Sequence, residues 1–125
     1  MKTEYLTLED ALAAGEAALG HPPEVRDYGL LESVLGRPRA TVFGEDAYVG
    51  LDAKAAALLA SLVANHTLVD GNKRLGWVCV RLFYVLNGRD LKAPEDDAFD
   101  LVMSIARGEQ LDVQVIARQL AVWVH

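Results

Sequence analysis

The chain has 125 residues, a hydrophobic fraction of 52% and a net charge of −6. That length fits one domain, residues 1–125, able to bury its own core, and no apolar run reaches the roughly 18–20 residues of a membrane span. Twelve Lys and Arg against eighteen Asp and Glu exclude a general binder of phosphate backbones, so direct nucleic-acid binding is not expected.

Alanine and leucine supply much of the apolar fraction, which favours helix over sheet. Thr7 is placed to cap a first helix from Leu8 to about Leu19, with Glu9 and Asp10 at its positive end. Gly20, Pro22 and Pro23 stop it. Asp27 caps a short helix from Tyr28 to about Leu35, ended by Gly36 and Pro38. Residues 39–50 are the least helical part: Thr41-Val42-Phe43 and Ala47-Tyr48-Val49 flank Gly44-Glu45-Asp46, as in a short hairpin or an irregular flap. Asp52 is predicted to cap a helix from Ala53 to about His66, nearly all apolar between Ala55 and Ala64 and so buried on most sides. A partner helix runs from Asn72 to about Asn87, with Gly88 as its left-handed stop. Pro94 suits the first turn of a fifth helix that ends at Arg107-Gly108, and Asp112 caps a sixth to about Val124. Six helices with short connections predict an all-α, bundle-like domain.

The single cysteine, Cys79, lies in an apolar run and reads as a small buried hydrophobe. One cysteine allows no internal disulfide, which fits a reducing compartment. The start Met1-Lys2-Thr3-Glu4 shows no apolar h-region, so the protein is expected in the cytoplasm. His21 lies in a Gly-His-Pro-Pro turn and His125 is the last residue; both read as bystanders.

The densest chemistry is His66-Thr67-Leu68-Val69-Asp70-Gly71-Asn72-Lys73-Arg74, between the two most apolar helices. The first amides of a helix starting near Asn72 have no partner within the helix and carry positive partial charge. Such an end binds anions, phosphate above all. Gly71 lets backbone approach a ligand, Asn72 offers an amide, and Lys73 and Arg74 add two full charges. Asp70 at the edge suits Mg²⁺, which binds through one or two carboxylates plus substrate oxygens. His66 suits general-base work, since an imidazole titrates near neutrality. Base, metal ligand and phosphate clamp are the parts of phosphoryl or nucleotidyl transfer.

This stretch resembles the H-x-F-x-D-x-N-K-R motif of the Doc (death-on-curing) branch of the Fic/Doc family, the toxins of bacterial toxin–antitoxin pairs. Arg26-Asp27-Tyr28-Gly29-Leu30-Leu31-Glu32-Ser33-Val34-Leu35-Gly36-Arg37-Pro38 is similar to the R-D-x-G-L-L-E-S-A-L-x-R-P stretch of Doc-like sequences. The resemblance implies a compact all-helical domain. Typical Fic enzymes carry H-P-F-x-[DE]-G-N-G-R-x-x-R and transfer AMP. Here Lys73 replaces the second motif glycine and Trp77 the second arginine, which is the Doc pattern. It implies ATP bound in reverse and its γ-phosphate passed to a protein hydroxyl, in Doc a threonine of elongation factor Tu. His66 is then the base, Asp70 the Mg²⁺ ligand, and Gly71, Asn72, Lys73 and Arg74 the phosphate holders. Leu68 stands where the family has phenylalanine as an apolar anchor. No [ST]-x-x-x-E-[GN] inhibitory motif occurs, so inhibition is expected in trans, from a cognate antitoxin. Residues 39–50 correspond to the flap that aligns target peptides.

Overall fold

A computed structural model describes residues 2–125. Six α-helices follow one another: α1 (Leu8–Leu19), α2 (Tyr28–Gly36), α3 (Leu51–Ala64), α4 (Asn72–Leu86), α5 (Glu95–Ala106) and α6 (Val113–Trp123). Between α2 and α3 lie a 3-10 turn, Arg37–Arg39, and a hairpin of β1 (Thr41–Val42) and β2 (Glu45–Asp46). The all-α architecture is therefore the one predicted, and the ambiguous segment is a hairpin.

Side-chain caps mark where α1, α2 and α6 begin. Thr7 Oγ1 accepts from the Asp10 amide while the Asp10 carboxylate accepts from the Thr7 amide, a reciprocal capping box. Asp27 accepts from the Leu30 amide, and Asp112 from the amides of Gln114 and Val115. Two expected starts are corrected. α3 begins at Leu51, directly after Gly50, and Asp52 lies inside its first turn. The Asp52 carboxylate instead accepts a 2.7 Å hydrogen bond from the Tyr84 hydroxyl of α4. Pro94 precedes α5 as its N-cap residue, so that helix starts one residue later, at Glu95.

α3 is the central element. Every residue from Ala53 to Val63 is buried, because α4 and α6 pack on it and α2 and α5 close the remaining sides. The small side chains let neighbours come close: a Cβ at Gly76 of α4 would lie 2.6 Å from Val63 Cγ2. Leu31, Leu58, Leu62, Leu75, Phe83, Ile105, Ile116 and Leu120 fill the space between the helices. This packing holds the C-terminal end of α3 beside the N-terminal end of α4, and the loop between them carries the histidine motif.

Candidate active site

α3 stops at Ala64, two residues before the expected end. Asn65 is extended, and its side-chain amide donates to the Ser61 carbonyl at 2.8 Å, closing the helix end. His66 thus stands on the loop, exposed to solvent. Thr67 and Leu68 turn inward and are fully buried; Val69 and Asp70 face out again. Leu68 is the apolar anchor the sequence suggests, with no exposed surface at all.

The stretch before α2 lies antiparallel along the loop, with Val25 opposite Leu68. The Thr67 carbonyl accepts from the amides of Arg26 (2.8 Å) and Asp27 (3.3 Å), and the Val69 amide donates to the Glu24 carbonyl at 2.9 Å. The Arg-Asp pair that opens the second resembling stretch therefore grips the loop through its backbone. From the other side, Asn72 Oδ1 accepts from the Leu68 amide (2.9 Å) and Nδ2 donates to the Leu68 carbonyl (3.1 Å).

Gly71 is the N-cap of α4, with φ +92°. A Cβ there would lie 2.7 Å from Leu19 Cδ2, so both conformation and space require glycine. Glycine has no side chain to cap with, and among the described residues no other side chain caps α4. The first amides of the helix thus carry no side-chain cap, the condition under which a helix end can accept an anion. Asp70 Oδ1 accepts from the Gly71 amide at 2.9 Å, which fixes the carboxylate at the rim of this helix end. Lys73 and Arg74 are exposed, and neither makes an ion pair among the described residues.

Lys73 and Arg74 also form the lip of a groove of about 1040 Å³ that runs between α4, α5 and the end of α1. Trp77, Leu91, Phe99 and Met103 make its apolar lining, and Arg81 and Lys92 add two more cations. His66 and Asp70 lie outside it. The local sequence shows two clustered cations; the other two are Arg81, about two helix turns beyond Arg74, and Lys92, on the strand-like segment after α4, and only the fold assembles them. In the sequence, Arg26 and Asp27 are legible only as the start of the second resembling stretch and Asp27 as a cap, with no contact assigned between the segment 24–27 and the loop. Its signal was present, since Val25 is an apolar residue isolated between Glu24 and Arg26, as a bridge position needs.

The donor set suits Mg²⁺ better than zinc. Among the described residues no three His, Cys, Asp or Glu side chains converge on a point, whereas one carboxylate beside a phosphate-binding helix end is a common magnesium arrangement.

Residues 3–84 match the family model described as the Fic/DOC family, a span that takes in both resembling stretches and the loop. The chain is also similar to the protein named Toxin Doc of Mycolicibacterium smegmatis, with 50% identity over 121 residues, covering 95% of this chain and 92% of that one. Half of all positions shared along nearly the full length leaves the similarity no longer resting on a nine-residue motif, and the chain belongs to the Fic/DOC family.

Proposed function

We propose that this protein is the toxin of a bacterial toxin–antitoxin pair and works as a protein kinase, moving the γ-phosphate of ATP to a threonine or serine hydroxyl of a translation factor, elongation factor Tu. The observation that carries the reading is Lys73, the side chain that stands, exposed and without an ion pair, where nucleotide-transferring relatives have glycine. A cation there fills the room such enzymes leave for one end of the nucleotide and adds charge for the other.

In this reading His66 takes the proton of the attacking hydroxyl, whose oxygen bonds to the γ-phosphorus as the bond to the bridging oxygen breaks and ADP departs. The free amides at the start of α4, with Lys73 and Arg74, hold the phosphates and balance their charge. Asp70 would hold Mg²⁺, which when bound neutralises phosphate charge. A cognate antitoxin acts in trans: the groove beside Lys73 and Arg74, with apolar floor and cationic rim, suits an amphipathic segment with acidic residues.

The test is transfer from ATP labelled at the γ- or the α-position to purified elongation factor Tu. Transfer of γ-label, lowered at least about 100-fold by His66→Ala in a chain that still folds, is the expected result. Transfer of α-label alone would replace the kinase reading with nucleotide transfer.

A further inference from the structure

His66 has no hydrogen-bond partner on its ring among the described side chains, so no carboxylate orients it. Its direction has to come from the main chain on which it stands. The peptide groups of that loop divide into two sets. The Thr67 carbonyl and the Val69 amide pair with the segment 24–27, and the Thr67 amide pairs within the loop with the Asn65 carbonyl. The peptide groups of Leu68 point the other way, and both of them end on one side chain, Asn72.

We infer that Asn72 is a positioning residue, whose amide holds the main chain of Leu68 and thereby sets His66 against the start of α4, and that it is not itself a phosphate ligand. The inference rests on the kinase reading only for the role of His66. Asn72 is the first residue of α4, yet its side chain does not cap that helix; it reaches four residues back. Its oxygen and one of the two N–H groups of its nitrogen are engaged, at 2.9 and 3.1 Å, by a residue with no exposed surface. Turning either end toward a phosphate would leave a peptide group of Leu68 unpaired, which buried backbone does not tolerate. The phosphates are then left to main-chain amides, Lys73 and Arg74. The pairing also ties the base to the anion site directly, since one residue belongs to both.

The experiment uses the full chain with Asn72→Ala and the milder Asn72→Asp, which keeps an acceptor for the Leu68 amide. Three quantities are read: hydrogen exchange of the Leu68 amide, affinity for Mg-ATP, and kcat for γ-phosphate transfer. In Asn72→Ala, Leu68 exchange is expected to accelerate about tenfold or more, with kcat lowered about as much and Mg-ATP affinity kept within about twofold. In Asn72→Asp the Leu68 amide stays protected, and any loss of Mg-ATP affinity beyond that of Asn72→Ala reports the repulsion of phosphate by the new carboxylate. An about tenfold weaker Mg-ATP affinity in both variants, with Leu68 protection unchanged, would overturn the inference. If the unaltered protein moves no γ-phosphate at all, the kinase reading fails, while exchange and affinity still decide the role of Asn72.

Discussion

Thr67 and Leu68 enter the core side by side, but they meet it differently. Leu68 packs as an apolar anchor, whereas the Thr67 hydroxyl is buried with no hydrogen-bond partner among the described residues. An unpaired buried hydroxyl is a destabilising feature, and valine has the same shape without it. Thr67→Val is therefore expected to raise stability by about 1 kcal/mol, read as a higher urea midpoint at unchanged slope. A lower midpoint would mean that the hydroxyl is satisfied in solution. At this scale the sequence was informative about residue type and much less about use. His66, Asp70 and Lys73 stood out because their side chains are reactive wherever they sit. Asn72 was legible as an amide near phosphates, but its tie to Leu68 depends on a loop path that no pattern of residue types encodes. Asp52 shows the same limit: an acid at the start of an apolar helix looks like a cap, and the fold gives it to Tyr84.

The hairpin is held to the body by two cations. Lys54 of α3 is only 4% exposed; its ammonium meets the Asp46 carboxylate at 3.0 Å and also donates to the Tyr48 carbonyl. Arg37 donates to the Tyr48 hydroxyl at 2.8 Å, lies over the Tyr48 ring, and reaches the Ser61 hydroxyl of α3. The tip between these anchors is Phe43-Gly44, both with positive φ as the tightest hairpin turns require, and Phe43 is fully exposed. Lys54→Met should leave the melting temperature nearly unchanged, because an apolar chain of similar length fills the buried site while Asp46, 56% exposed, stays solvated. The flap should loosen, seen as faster chymotryptic cleavage after Phe43. Unchanged cleavage would show that Arg37 and Tyr48 suffice. Helix positions were readable because period, caps and stops agree along each segment. The flap was readable only as non-helical, since its order comes from Lys54 and Arg37, outside its own residues; within an alanine-rich helix, Lys54 looks like ordinary solvated charge.

Across the molecule, charge is unevenly spread. The net charge is −6, yet four of the twelve Lys and Arg line one groove, opposed there by Glu95 alone. Composition argues against tracking a nucleic-acid backbone, but it averages away a local field that suits a small anionic ligand or an acidic segment. Burial acts on whole-molecule stability through Cys79 and Tyr84. Burial, with the Asp10 charge as a smaller contribution, pushes the Cys79 thiol up from 9.0 to about 12. Burial and the hydrogen bond to Asp52 push the Tyr84 hydroxyl up as well. A group whose value is raised on folding favours the folded state below its unfolded value and loses that favour as pH rises. Stability should hold to about pH 9 and then fall as the unfolded thiol ionises, with Tyr84 adding to the slope above about pH 10. Urea midpoints between pH 8 and 11 measure this, and Cys79→Ala, though less stable at pH 8, should show the shallower decline. A decline as steep in that variant would assign the alkaline loss to other groups.

The glycine at the head of α4 has one more effect. A side chain closes the first turn of α1, α2 and α6, a contribution of about 0.5–2 kcal/mol each; α4 leaves the position open. An anion seated there completes the secondary structure as well as occupying a site. On the proposed phosphate-binding role, folding and ligation are thermodynamically linked, and the protein is expected to gain stability with ligand concentration as RT ln(1 + [L]/Kd). Resistance to unfolding becomes a measure of occupancy, so ligands of this chain can be ranked by melting alone, before any substrate protein or catalytic assay is in hand.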